Sequence, residues 1–133
     1  MAAYTGRSGV IYLSTTGSGA AINVLQLNGW TINKSTDKIE ITSFGDANKT
    51  YVQGLPDVQG TISGFWNDTE TKPFTAASST DGCKIYLYPS SSKAGSYHYG
   101  PAWLDMSMEV SVSGAVTISG SFAANGSWGA VGI

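Results

Sequence analysis

Apolar and polar residues alternate with a period of two along most of this chain, the spacing of half-buried β-strands. Ile39 and Ile41 fall on one face of such a run, and Lys38, Glu40 and Thr42 on the other. The pattern stops at Ser43-Phe44-Gly45-Asp46-Ala47-Asn48, whose Gly, Asp and Asn accept tight or left-handed backbone. An extended piece over 49–53 follows and stops at Gly54-Leu55-Pro56-Asp57. A third run then places Val58, Gly60, Ile62, Gly64 and Trp66 on one side. Three strands joined by two loops, with no helix among them, predict an antiparallel sheet.

The flanking segments extend the picture. Val10-Ile11-Tyr12-Leu13 reads as a strand without alternation, buried on both faces or placed between subunits. Residues 14–21, with Gly17 and Gly19, read as a flexible loop. A second strand over 22–27 and 30–32 is interrupted by Asn28-Gly29, a strong hairpin signal that a bulge would also explain. Residues 67–82 hold the one plausible helix, a turn or two over 71–77 capped by Asp68 or Thr69, with Pro73 near its start. Strand pattern resumes over 83–89, where Ile85 and Leu87 face one way and Tyr86 and Tyr88 the other. Beyond a small polar loop over 90–96, residues 97–104 read as strand, with Gly100-Pro101 marking a bulge or an edge position.

The last two strands carry the clearest pattern. Leu104, Met106, Met108, Val110 and Val112 are even-numbered, and so are Val116, Ile118, Phe122 and Ala124. For one hairpin to place both sets on one face, paired residue numbers must have an even sum. A two-residue turn at Ser113-Gly114 would give an odd sum, so the pattern predicts a three-residue loop over 113–115. Val110 would then lie opposite Ile118, and Met106 opposite Phe122.

Several of these segments resemble the tail tube proteins of tailed bacteriophages. The matching residues are Glu40, Thr42-Ser43, Phe44-Gly45-Asp46, Lys49, Tyr51-Val52, Gly54-Leu55, Asp57 and the Gly60-to-Gly64 strand. Tyr99-Gly100-Pro101-Ala102-Trp103 and the hairpin ending Gly120-Ser121-Phe122 are similar too. The resemblance covers roughly residues 30–66 and 83–128. It implies a virion structural protein that forms hexameric rings stacked into a DNA conduit. Strand edges would meet across subunits, and the loop over 44–57 would reach the neighbouring ring. Related β-folds also serve as capsid decoration proteins, which clamp neighbouring subunits of the major capsid protein.

Composition narrows the function classes. The chain has 133 residues, enough for one domain with a real core. Charged residues make up 12%, about half of the roughly 25% usual in soluble domains. Gly, Ser, Thr and Asn supply polarity instead, which suits strands and packed subunit faces. The seven basic residues are scattered and the net charge is −2, so no basic stripe exists to neutralise phosphates. A surface that DNA slides past is compatible with that balance. The N-terminus lacks the basic region and apolar run of a secretory signal, and no run is long enough for a membrane helix. A virion protein made in the host cytoplasm is expected.

Candidate chemistry is sparse. His98 is the one histidine and has no nucleophile motif beside it, which favours packing or an interface contact. Cys83 is the one cysteine and reads as a small buried hydrophobe, with no disulfide and no His/Cys zinc site. Asp46, Asp57 and Asp68 sit in loops, where short acids stabilise turns. The four tryptophans and seven tyrosines could form a sugar platform, but core or subunit packing is the commoner use.

The expectation is therefore a non-enzymatic, all-β, mainly antiparallel domain over 1–133, a β-sandwich or barrel of about eight strands with at most one short helix. Residues 1–9 would form an arm. The leading function is a tail tube subunit that assembles with itself and other virion proteins, without cofactor, metal, membrane or tight nucleic-acid binding. A capsid decoration protein is the alternative, and a carbohydrate-binding module comes third. Phe44, Asp46, Lys49, Tyr51, Leu55, Asp57 and Trp128 are the candidate interface residues.

Overall fold

The structure is a computed structural model that describes residues 6, 9–15, 21–24, 27–68, 70–80 and 82–133. Most of the expected arm over 1–9, the middle of the loop over 14–21, and Thr69 lie outside the described residues. Among the described residues, eight strands and one short helix follow in the order β1 (Val10–Ser14), β2 (Ile22–Asn23), β3 (Leu27–Glu40), β4 (Tyr51–Phe65), α1 (Lys72–Ala77), β5 (Cys83–Tyr88), β6 (Tyr97–Glu109), β7 (Thr117–Ala124) and β8 (Gly129–Val131). All pairings are antiparallel, in the order β2-β1-β5-β6-β7-β4-β3, with β8 beside the start of β6.

One face of this sheet is apolar and folds on itself. Ile11 and Leu13 of β1 and Ile85 and Leu87 of β5 share a core with Ile62, Leu104 and Phe122 of β4, β6 and β7. Strands distant in the sheet order can meet in this way only if the sheet curls round. Burying each such side chain stabilises the fold by about 1.5–3 kcal/mol. The helix adds Ala76 to the same core, and Pro73 stands at its start, where a missing N–H costs nothing. β1 alternates after all, with Ile11 and Leu13 inward and Val10 and Tyr12 half-buried on the other face.

Glycines make room in the core. A Cβ on Gly60 would collide with the Phe122 ring, and one on Gly120 would collide with Met106 Sδ. Gly60 and Gly120 therefore stand where a large side chain of a neighbouring strand lies across the backbone.

Three boundaries differ from the sequence reading. Residues 27–40 form one continuous strand, and of the two readings of Asn28-Gly29 the bulge holds, not the hairpin; Ser63 Oγ donates to Asn28 Oδ1 there at 3.0 Å. Gly54-Leu55-Pro56-Asp57 does not end a strand either. β4 runs through it, with an irregular register where Asp37 faces Gly54 and Leu55. Pro56 is tolerated because β7 reaches only to Gln59, which leaves that edge of β4 without a ladder. The last hairpin keeps the expected even sum, but its register is displaced by two. Met108, not Val110, faces Ile118, and Leu104, not Met106, faces Phe122. The connection spans 110–116 instead of three residues.

Candidate assembly interface

The β3–β4 hairpin outruns the sheet. β7 accompanies β4 only from Gln59 to Phe65, so the pairs from Thr36–Pro56 to Glu40–Tyr51 project as a two-stranded finger. Its tip is built locally. Ile41 N donates to Thr50 O at 2.8 Å, and Thr50 N donates to Thr42 Oγ1 at 3.0 Å. Ser43 N donates to Asp46 Oδ2 at 2.7 Å, while Gly45 takes φ 90°, a left-handed backbone that suits glycine. The loop thus satisfies its own polar groups and leaves Phe44 pointing away from the protein. Phe44 is 110% exposed and Leu55 88% exposed, and Ile39, Ile41, Tyr51 and Val52 add further uncovered apolar surface. An apolar patch held out on a finger is what a subunit contact requires.

Phe44, Asp46, Lys49, Tyr51 and Leu55 therefore gather on this finger. Asp57 does not; it lies further back opposite Ser35, where its Oδ2 accepts from Gln59 Nε2 at 2.7 Å. Trp128 lies elsewhere again. Its ring stacks on Phe122 and covers Gly100, and its Nε1 donates to Pro101 O at 2.6 Å. Gly100-Pro101 forms no bulge: Pro101 pairs with Lys84, and on its other side it falls in the gap between the start of β8 and the end of β7, an edge position.

The sequence reading missed the outer face of β6, β7, β4 and β3. Side chains there form rows across the strands, Asn33–Gln59–Ala123–Trp103, then Thr31–Thr61–Ser121–Asp105, then Ser63–Ser119–Ser107. Thr31 Oγ1 and Thr61 Oγ1 lie 2.8 Å apart, and Ser107 Oγ and Ser119 Oγ 3.1 Å. Asp105 is the charged member of these rows, Asp57 opposite Ser35 and Glu109 opposite Thr117 carry the pattern on at either end, and no lysine or arginine joins the three rows. Alternate Ser and Thr at 117, 119 and 121 was the available signal.

Both flanks of this four-stranded portion are open. Among the described residues no strand pairs with the outer edge of β3, and β5 leaves β6 at Ala102, so 103–109 has one free edge. The outer face of β1, β5 and the start of β6 is different in kind. Tyr12, Tyr86, Tyr88, Tyr97 and Tyr99 pack there with ring centroids 5.0–5.9 Å apart, and Lys84 Nζ lies 5.3 Å from the Tyr86 ring centre.

The ionisable singletons sit inward. Burial pushes the Cys83 thiol up to about 11. Burial first, and the Lys34 ammonium second, lower the His98 pKa, and its Nδ1 is buried without a hydrogen-bond partner. Among the described residues no three His, Cys, Asp or Glu side chains are grouped to hold a metal ion.

Solved structures share this architecture. A chain in the virion of a native gene transfer agent (GTA) particle is similar over 97% of this chain and 99% of its own, with TM-score 0.80 and 14% identity. A chain in the tail of an empty GTA particle with C6 symmetry matches over 96% and 98%, with TM-score 0.76 and 17% identity. The SPP1 tail tube protein matches over 97% and 79%, with TM-score 0.74 and 14% identity. No protein-family model matches the chain. No curated protein matches it by sequence.

Proposed function

We propose that this chain is a tail tube subunit, a non-enzymatic virion protein that assembles with its own copies into stacked rings around a DNA channel. The observation that carries this reading is the four-stranded polar portion with a free edge on each side. β6 and β4 run in one direction, β7 and β3 in the other. In a ring of rotated copies, β3 of one subunit would therefore meet β6 of the next as an antiparallel neighbour. An even number of strands per subunit closes such a barrel without a parallel junction, and closure removes both edges. Hexameric closure follows the resemblance to tail tube proteins and the C6 symmetry of the GTA tail.

The polar rows would line the channel. Hydroxyls and amides keep that wall wet, and a wall with carboxylates and no cation does not hold phosphate. A sandwich alone would leave both edges open, so the barrel is the form that assembly completes. The likenesses fall among virion, tail and tube structures and give the capsid-decoration alternative no support.

Electron microscopy of concentrated pure protein tests the proposal. Rings or open tubes with a central channel are expected, with little DNA affinity at physiological salt. Saturable binding to emptied, undecorated capsids without self-assembly would overturn it in favour of decoration.

A further inference from the structure

Two Asn-Gly pairs of this chain stand in different surroundings. Asn28-Gly29 lies inside β3, where Gly29 faces Ser63 in the ladder and Asn28 Oδ1 accepts from Ser63 Oγ at 3.0 Å. Asn125-Gly126 lies in the turn between β7 and β8, and both residues are exposed. Among the described residues, neither Gly126 N nor the Asn125 carboxamide has a hydrogen-bond partner. Gly126 takes φ 150°, a backbone that glycine holds and that side chains disfavour. The turn itself demands the glycine that leaves its neighbour open to attack.

We infer that Asn125 is a site of spontaneous deamidation, an ageing point built into the fold, and that Asn28 is protected from the same reaction. Gly126 N attacks Asn125 Cγ, and the new N–C bond closes a five-membered succinimide. The Cγ–Nδ2 bond breaks, and ammonia leaves with the proton that Gly126 N gave up. Water then opens the ring at either carbonyl. The product is aspartate, or isoaspartate when the main chain is rerouted through the former side chain. No oxidant or reductant takes part. Glycine favours the attack because no side chain shields its nitrogen and its backbone turns freely. A nitrogen held within a strand pair reaches the carboxamide only when that pair opens.

The product acts on the core because the turn is clasped at both ends. Asn125 N and Trp128 Nε1 both donate to Pro101 O, at 3.0 and 2.6 Å, and the Trp128 ring stacks on Phe122. Isoaspartate adds one carbon to the main chain between these two donors. The longer turn no longer holds both on one oxygen, and the indole that closes the core is loosened.

The full chain as single subunits, aged in mildly alkaline buffer, tests this by peptide mass spectrometry with electron-transfer fragmentation, which tells aspartate from isoaspartate. Conversion at Asn125 is expected to run at least roughly tenfold faster than at Asn28, and the two rates should converge in denaturant, where no strand pair protects either. Asn125→Gln, an exposed and conservative change, should abolish the conversion. Asn125→Asp adds the charge without the extra carbon and should keep a denaturation midpoint close to that of the unaltered protein. Protein aged to isoaspartate should unfold at lower denaturant. Asn125 intact in the native chain while it converts in the denatured one, or Asn28 converting equally fast in the fold, would overturn the site. Aged protein as stable as Asn125→Asp would overturn its effect on the core.

Discussion

Trp128 stacks on Phe122 with ring centroids 5.5 Å apart and planes 7° from parallel. The stack closes the core beside Gly100, whose missing side chain is the space the indole fills. Replacing Trp128 by Ala removes the stack and the 2.6 Å bond to Pro101 O. Because the indole is half-buried, a loss of about 2–3 kcal/mol is expected, below that for a fully buried tryptophan. Gly100→Val should cost a similar amount by expelling the ring. Chemical denaturation of single subunits measures both, and an unchanged midpoint in either would remove the stack from the account.

His98 makes stability depend on pH. Its folded pKa lies below the ordinary 6.5, chiefly through burial. Above the unfolded value both states are neutral and the fold loses nothing. As pH falls through 6.5 toward the folded pKa, the unfolded chain takes up the proton first, so stability drops. The melting temperature should fall between pH 7 and 5, and His98→Gln should flatten that limb. An identical slope in the variant would assign the acid sensitivity to other groups.

Cys83 gives the opposite limb. Its thiol ionises near 9 when exposed and at about 11 in the fold. Stability is whole below pH 9 and declines as pH rises from there. A thiol reagent at pH 8 should label Cys83 only after denaturation, and rapid labelling of the native protein would contradict its placement in the core.

The polar wall can be made to grip. Ser107 and Ser121 lie in adjacent rows on the proposed channel side. Lysine at both should give tubes that retain DNA, with affinity that falls as salt rises by about 0.9 in log–log slope per phosphate contact. Unaltered tubes should show little binding. If both proteins bind DNA equally weakly, this face does not line the channel.

The alternation made the antiparallel sheet and the turn around Phe44 legible before the structure, and Pro73 marked the start of the short helix. The alternation also fixed the parity of the last hairpin, which the Leu104–Phe122 pair obeys. The exact register was not legible, because an apolar residue looks the same whether its own core or a neighbour covers it. Val110 and Val112 continue the core pattern of Leu104 and Met106 and yet lie outside it. Gly54 to Asp57 has turn composition, but β3 supplies a partner that carries the strand past the irregularity. β8 has three residues, too few for a period to show, and so the packing of Trp128 within its own subunit was hidden.

The most direct test of the central claim is a cryo-electron microscopy map of the assembled protein that resolves individual strands. The account predicts a closed barrel in which β3 of each subunit runs antiparallel to β6 of the next. The rows from Asn33 to Trp103 and from Thr31 to Asp105 should face the channel. A channel lined by Tyr12, Tyr86 and Tyr99, or a ring in which the outer edge of β3 stays unpaired, would contradict it.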